Sequence, residues 1–306
     1  MTREVPEGIQ RDYPLSRLTT IRTGGPAELF ARPGTVPELE SVLAWAAAEG
    51  VRVGVVGSGS NLLIADAGVR GLVLKLDQDL TQITVDGTRI GCGGGARLPA
   101  VSARAARAGL SGIEFGVNIP GTVGGAVRMN ANAYGGELAR ALEWVDVTSA
   151  AGTARRTPDE LGFAYRRSGL RAGEVVARAS FALVPLAPED VKRTLGEMRS
   201  KRRAAQPSGI KTFGSTFKNP SDPRAEGRSA GQLLEAAGAR GLRVGGAGFS
   251  AKHANFVENL GHATTEDVVA LMAEGRRRVQ ERFGVELEPE VQTLGPVSFP
   301  ADWARP

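Results

Sequence analysis

Residues 112–136 read GIEFGVNIPGTVGGAVRMNANAYGG. The stretch is dense in glycine and keeps neither a helical nor a strand period. An irregular run of that length inside a compact domain is usually functional. Pro120-Gly121 fixes a turn, and Gly124-Gly125 removes side chains where something flat or bulky lies against the main chain. A second glycine loop, Gly57-Ser58-Gly59-Ser60-Asn61, stands upstream, directly after the apolar run Val51–Val56. Two such loops in one domain point to a long ligand held at two ends. Taken alone, the upstream loop reads equally as an anion-binding nest for a pyrophosphate or as an ordinary tight turn.

The flanking pattern alternates helices and strands. Pro37–Glu49 is amphipathic and stopped by Gly50, the run Val51–Val56 reads as a buried strand, and Leu72–Leu76 as another. Ile83–Val85 and Thr88–Gly91 flank Asp86-Gly87 as a hairpin, and Arg97–Gly109 is an alanine-rich helix. Strand-like runs follow at Glu143–Thr148 and Val175–Val184, then a boundary helix Pro188–Arg203. The last third mixes helices Ser229–Ala237 and Thr265–Phe283 with strands Ala254–Glu258 and Val285–Leu294. The fold class is α+β, in two units divided near residue 187.

Composition narrows the chemistry. The 306 residues are 42% hydrophobic and 23% charged, ordinary for a globular chain long enough for two domains. Glycine stands out at 41 residues, about 13% against a usual share of about 7%. Cys92 is the single cysteine, which excludes a disulfide framework and a cysteine-based zinc site and fits a reducing compartment. The two histidines, His253 and His262, exclude a histidine-rich metal centre. No apolar run approaches the ~18 residues of a membrane span, and the first residues carry no apolar signal core. The expectation is a cytoplasmic protein without membrane insertion. The net charge of +5 comes with 32 arginines and six lysines. It suits anionic small molecules, while the basic cluster Lys201–Arg203 lacks the interleaved aromatics of a nucleic-acid surface.

Two near-matches fail. Gly57-Ser-Gly59-Ser-Asn-Leu62 has leucine where a dinucleotide fingerprint needs its third glycine. Gly209-Ile-Lys-Thr-Phe-Gly214-Ser215 has P-loop glycine spacing without the Lys-Ser/Thr ending.

Seven motifs stand in order along the chain: Leu18-Thr-Thr-Ile-Arg-Thr-Gly-Gly25, Val56-Gly-Ser-Gly-Ser-Asn-Leu-Leu63, Ile119-Pro-Gly-Thr-Val-Gly-Gly-Ala-Val-Arg-Met-Asn130 and Phe163-Ala-Tyr-Arg-Arg-Ser168, followed by Gly214-Ser-Thr-Phe-Lys-Asn-Pro220, Ala251-Lys-His-Ala-Asn255 and Leu287-Glu-Pro-Glu-Val291. Through these motifs, in family order, the chain resembles the UDP-N-acetylenolpyruvoylglucosamine reductase family. The resemblance implies an N-terminal segment (1–21), then a two-subdomain FAD-binding region of the PCMH/vanillyl-alcohol-oxidase type (22–187, split near 76). A C-terminal α+β substrate-binding domain (188–306) would complete the chain. It implies non-covalent FAD, NADPH as cosubstrate, and reduction of an enolpyruvyl ether on a UDP-sugar to a lactyl ether for the bacterial wall. A monomer with no metal and no nucleic-acid partner is expected.

That reaction fixes the roles to fill. Hydride addition to the alkene leaves charge on the adjacent carbon, delocalised into the pyruvyl carboxylate, so the site needs a proton donor and a carboxylate anchor. By motif register Ser215 is the proton donor, with Thr216 the neighbouring alternative, and Arg166 is the anchor. If that segment is extended, Arg166 and Arg167 point oppositely. Glu290 matches the acid beside the developing enolate, either as a neutral acid or as the group fixing the arginine and a water. FAD would be held by Gly57, Ser58, Gly59, Ser60, Asn61, Gly121, Thr122, Gly124, Gly125 and Ala126, and the substrate by Tyr165, Lys218 and Asn219. His253 is expected to be structural or to touch substrate rather than to catalyse. Asn132 departs from the family glycine, and asparagine is expected to preserve left-handed geometry there. The short segment after Ser168 resembles the loop-less subtype (type II).

Overall fold

The computed structural model describes residues 5–207, 209, 211–301 and 303. Ile210, inside the P-loop-like run, and the first four residues lie outside them. Chain contacts divide the protein into two compact units, each assembled from separated pieces. The first comprises Met1–Asp12, Leu29–Ser58 and Gly71–Arg202; the second comprises Tyr13–Glu28, Gly59–Arg70 and Arg203–Pro306.

The first unit holds two apolar clusters. One packs Leu29, Leu39, Leu43, Leu72, Leu74 and Leu80 around helix α1 (Val36–Ala48). Leu39, Val42, Leu43 and Ala46 lie on one face of α1, at roughly 1.5–3 kcal/mol for each large side chain buried. The Thr35 hydroxyl accepts from the Glu38 amide at 3.3 Å at its start. Gly50 (φ 62) ends it as expected, with the Val51 amide reaching back to the Ala46 carbonyl at 2.7 Å. Strand Val53–Val55 then runs parallel to Val69–Leu74, in the register Val53↔Leu72 to Val55↔Leu74. The pair delivers the chain to Gly57.

The other cluster lies under a five-stranded antiparallel sheet, ordered Gly152–Arg156, Leu142–Ser149, Val175–Ala182, Arg89–Gly93, Ile83–Asp86. Helices α2 (Leu98–Arg107) and α3 (Val123–Arg128) bury Leu98, Val101, Val123 and Val127 in that cluster, with Phe115 and Phe181. Residues 112–136 are more regular than the sequence suggests. They contain a 3-10 turn (Glu114–Asn118), α3, and a hairpin of Asn132–Ala133 with Gly136–Glu137. Helix α4 (Pro188–Ala205) buries Val191 and Leu195 against Ala106 and Val117. For that reason the units divide after Arg202 and not near 187.

In the second unit, α5 (Ala230–Ala236) and α6 (Thr265–Phe283) each start with a capping box, Ser229/Gln232 and Thr264/Asp267. Their apolar faces, with Leu271 and Met272 on α6, join one cluster with Phe213, Phe217, Phe249 and Leu287. A three-stranded antiparallel sheet is ordered Arg243–Val244, Ala247–Phe249, Val257–Asn259, and Gln292–Leu294 pairs parallel with Leu62–Ile64. Two expected strands are therefore shorter. Ala254 to Phe256 forms a turn, with the Phe256 amide on the His253 carbonyl at 3.0 Å. Of Val285–Leu294 only the last three residues are a strand; Pro289 has no amide to give a ladder. Among the described residues no helix is long and apolar enough to cross a membrane.

Candidate active site

In the first unit the two glycine loops meet. The Ser58 hydroxyl donates to the Pro120 carbonyl at 2.6 Å, and a side chain on Gly57 would fall on that of Thr122. The expectation of two grips on a long ligand is thus corrected to one cradle. A cavity of about 110 Å³ opens there, walled by Gly57, Thr122, Gly124 and Gly125 together with Gly94 and Gly95. The Gly124 amide donates to the Gly94 carbonyl at 2.7 Å, which fixes α3 against the strand end at Gly93. Two cations reach the same wall, Lys75 and Arg128. The Lys75 ammonium donates to the Gly57 carbonyl at 2.7 Å; burial, and next the nearby Arg32, pull its pKa below the usual lysine value. Arg128 is tied to the carbonyls of Arg171 and Glu174 at 3.3 and 3.1 Å. A wall of main chain with two cations suits a diphosphate such as that of FAD, so the residues present fit the cofactor. Ala126 is an exception among the expected contacts: its methyl is buried in the core cluster.

Lys75, Arg128 and the Gly94-Gly95 pair were missed from the sequence. The triplet Gly93-Gly94-Gly95 and a scarce lysine closing an apolar run were the available signals.

Glu174 also lines the cavity, where a bare carboxylate would repel an anion. Arg156 grips it at 2.5 and 3.0 Å and the Arg171 amide donates at 2.8 Å. The Arg156 contact, foremost, holds its carboxyl below the ordinary 4.5. A lowered folded-state pKa contributes stability that is complete above the unfolded value and is lost as pH falls through the folded one. Glu174→Gln should therefore lower Tm at pH 7, and the gap to the parent should close progressively below about pH 4.5. Thermal melts across pH check this; a gap that widens in acid contradicts it.

Arg166 sits elsewhere in the first unit, in a tight turn rather than an extended segment. Ala164 and Arg167 exchange both backbone hydrogen bonds, at 2.9 and 3.1 Å, with Tyr165 and Arg166 at the tip. The opposite-sides argument for Arg166 and Arg167 consequently does not apply. Arg166 adopts φ 56, a left-handed placement that is uncommon for arginine. Its Nη1 donates to the Asn132 Oδ1 at 2.9 Å, and the guanidinium lies 5.1 Å from the centre of the exposed Tyr165 ring.

In the second unit three segments lie side by side. Ser215 bridges Phe256, the Thr216 amide donates to the Asn255 carbonyl at 2.8 Å, and Phe217 bridges Pro289. On the far side the Glu290 amide donates to the Thr216 carbonyl at 2.9 Å, and the Lys218 amide to the Glu288 carbonyl at 2.9 Å. The Asn255 side chain closes the ribbon with two 2.9 Å bonds to the Phe217 main chain. Leu287, Pro289 and Val291 turn inward while Glu288 and Glu290 turn outward, so the two acids do share a face. Ser215 and Glu290 are each half-buried; Thr216 is fully buried and its hydroxyl has no hydrogen-bond partner among the described residues.

Several expected ligand contacts have partners within the chain. Lys218 pairs with Glu288 at 3.1 Å, and Asn219 accepts from the Ala230 amide at 3.1 Å, capping α5. Gly59 and Asn61 belong to this unit as well. The Gly59 carbonyl accepts from the Thr20 amide at 3.1 Å, and the Asn61 amide group donates to the Glu290 carbonyl at 3.2 Å. His253 accepts from the Asn255 amide at 3.2 Å and meets Phe256 edge-on, a structural setting.

The FAD binding domain family matches residues 27–158. The family described as UDP-N-acetylenolpyruvoylglucosamine reductase, C-terminal domain, matches residues 206–294. The chain is 44% identical over 286 residues to the UDP-N-acetylenolpyruvoylglucosamine reductase of Rubrobacter xylanophilus, covering 93% of this chain and 94% of that one. It is 45% identical over 293 residues to the enzyme of that name from Anaeromyxobacter, covering 96% and 91%. Among solved structures, the reductase (MurB) from Thermus caldophilus superposes with a TM-score of 0.81 at 39% identity, covering 94% and 98%.

Proposed function

The chain belongs to the UDP-N-acetylenolpyruvoylglucosamine reductase family, and from that premise we propose how its own residues divide the work. It is an FAD-dependent oxidoreductase that reduces the enolpyruvyl sugar nucleotide of peptidoglycan synthesis. NADPH is proposed as its electron source. When bound, FAD supplies two-electron chemistry at the hydride level.

Within the first unit, the glycine cradle with Lys75 and Arg128 would hold the FAD diphosphate. Arg166 anchors the substrate's pyruvyl carboxylate through its planar guanidinium, and so draws negative charge away from the carbon that must be protonated. From the second unit, the Ser215 hydroxyl delivers the proton to that carbon. Serine is a poor acid in water, but it can quench a strongly basic carbon held at contact distance. Glu290 lies on the neighbouring segment, either to stabilise the enolate side as a neutral acid or to orient a water. Lys218 and Tyr165 are proposed substrate contacts, with Lys218 exchanging Glu288 for an anionic group. The protein would act as a cytoplasmic monomer; its single thiol, Cys92, is buried and pushed up to about 12, in keeping with a non-reactive core residue.

The observation that carries this reading is the Glu290 amide to Thr216 carbonyl bond, which makes neighbours of the Ser215 and Glu290 segments. Anaerobic stopped-flow tests it. Purified yellow protein should bleach on adding NADPH and recolour on adding the enolpyruvyl sugar nucleotide. Bleaching by simple alcohols or hydroxy acids, with no recolouring by the enolpyruvyl sugar nucleotide, would place the protein among other flavin oxidoreductases.

A further inference from the structure

Asn132 opens the strand Asn132–Ala133 and pairs with Glu137 across the hairpin. The turn is made by Tyr134 and Gly135, with φ of 51 and 82, the two-positive signature of a tight hairpin. Left-handed geometry falls on these two residues and on Asn130 (φ 39), not on Asn132, contrary to the expectation from sequence. The backbone therefore does not explain the residue at 132, and its side chain does: Oδ1 accepts from Arg166 Nη1 at 2.9 Å.

The partner is unusual in two respects. Arg166 occupies a strained turn position, and strain of this kind persists where surrounding structure enforces it. Its guanidinium also rests over Tyr165. A guanidinium is a rigid fork, useful to a carboxylate only when its plane is correctly turned. A neutral acceptor on one nitrogen helps to set that plane and adds no negative charge of its own. An aspartate would help to set the plane but add a negative charge beside the guanidinium; a glycine or alanine would remove this hold on the plane.

We propose that Asn132 is a positioning residue, whose amide oxygen orients the Arg166 guanidinium for two-pronged contact with the substrate carboxylate. This rests on Arg166 being the carboxylate anchor.

A double-mutant cycle on the FAD-loaded enzyme tests it, using Asn132→Ala, Asn132→Asp, Arg166→Ala and the Asn132→Ala/Arg166→Ala pair. Thermal melts check folding, and Asn132→Gly stands in if alanine disturbs the hairpin. Asn132→Ala should raise KM for the enolpyruvyl sugar nucleotide roughly tenfold, as expected for losing one charge-assisted hydrogen bond, while NADPH bleaches the flavin at the parent rate. Asn132→Asp should raise KM further. In the Arg166→Ala background, Asn132→Ala should add less than about twofold, because coupled residues lose their interaction once. An equal penalty in both backgrounds overturns the proposal while leaving Arg166 as anchor. If Arg166→Ala alone leaves KM and kcat unchanged, the anchor itself is wrong and the proposal falls with it.

Discussion

Ser215→Ala is expected to leave flavin bleaching by NADPH at the parent rate and to slow turnover of the enolpyruvyl sugar nucleotide by roughly 10²–10⁴-fold, the usual contribution of a positioned acid. The structure makes this a clean substitution. Ser215 is held by the backbone bridge to Phe256, and the next residue by the Asn255 carbonyl, so removing one hydroxyl breaks no main-chain bond. Thr216→Val is the matching control. Its hydroxyl is buried without a partner, a defect that costs about 1–3 kcal/mol, so valine should raise Tm and leave turnover near the parent value. The two half-reactions are measured separately by anaerobic stopped-flow. If Ser215→Ala slows both equally, the residue supports cofactor or fold; if only Thr216→Val stops recolouring, the proton donor is the neighbouring hydroxyl.

Legibility in the sequence followed the range over which each feature is encoded. Helix α6 was readable to its bounds because everything that defines it is local: the Thr264/Asp267 capping box, the apolar period and the left-handed Gly284 that stops it. The acidic, apolar alternation of 285–294 reads as one strand. Its neighbours, the Phe217 segment and Leu62–Ile64, lie far away in sequence, and they decide where pairing begins. The composition of the units was hidden for the same reason. Nothing near Gly59–Arg70 announces that it packs with residues beyond Arg203.

The site divides likewise. Glycine loops are visible because side chains are missing, but no local signal says that the Ser58 hydroxyl reaches the Pro120 carbonyl and merges two loops into one wall. Lys75 and Arg128 read as a strand end and a helix end until the fold turns them to one cavity. In the sequence, motif register alone points to Arg166. Tyr165-Arg166 is not a pair that favours turns, and the paired Ala164 and Arg167 impose one on it.

Gly125→Leu should yield protein that is folded and colourless. Gly125 is exposed on the cavity wall, in the first turn of α3, and an added Cβ would meet only the Thr122 hydroxyl, at 3.4 Å. Replacing a helical glycine by a good helix former favours the fold by up to about 1 kcal/mol, so the cofactor-free protein should melt at or above the parent temperature. The same side chain would stand on the cavity wall, in the space that a diphosphate seated there must enter. Bound flavin per protein, read from absorbance near the visible maximum and from fluorescence of released flavin, should fall to a small fraction of the parent's. Gly94→Ala would be a poor test of the same idea, because its Cβ would strike the Val176 carbonyl and disturb the sheet itself. Gly125 separates the two effects: a high Tm with full flavin content would mean that the cofactor's phosphates lie elsewhere, and the cradle would lose its assignment.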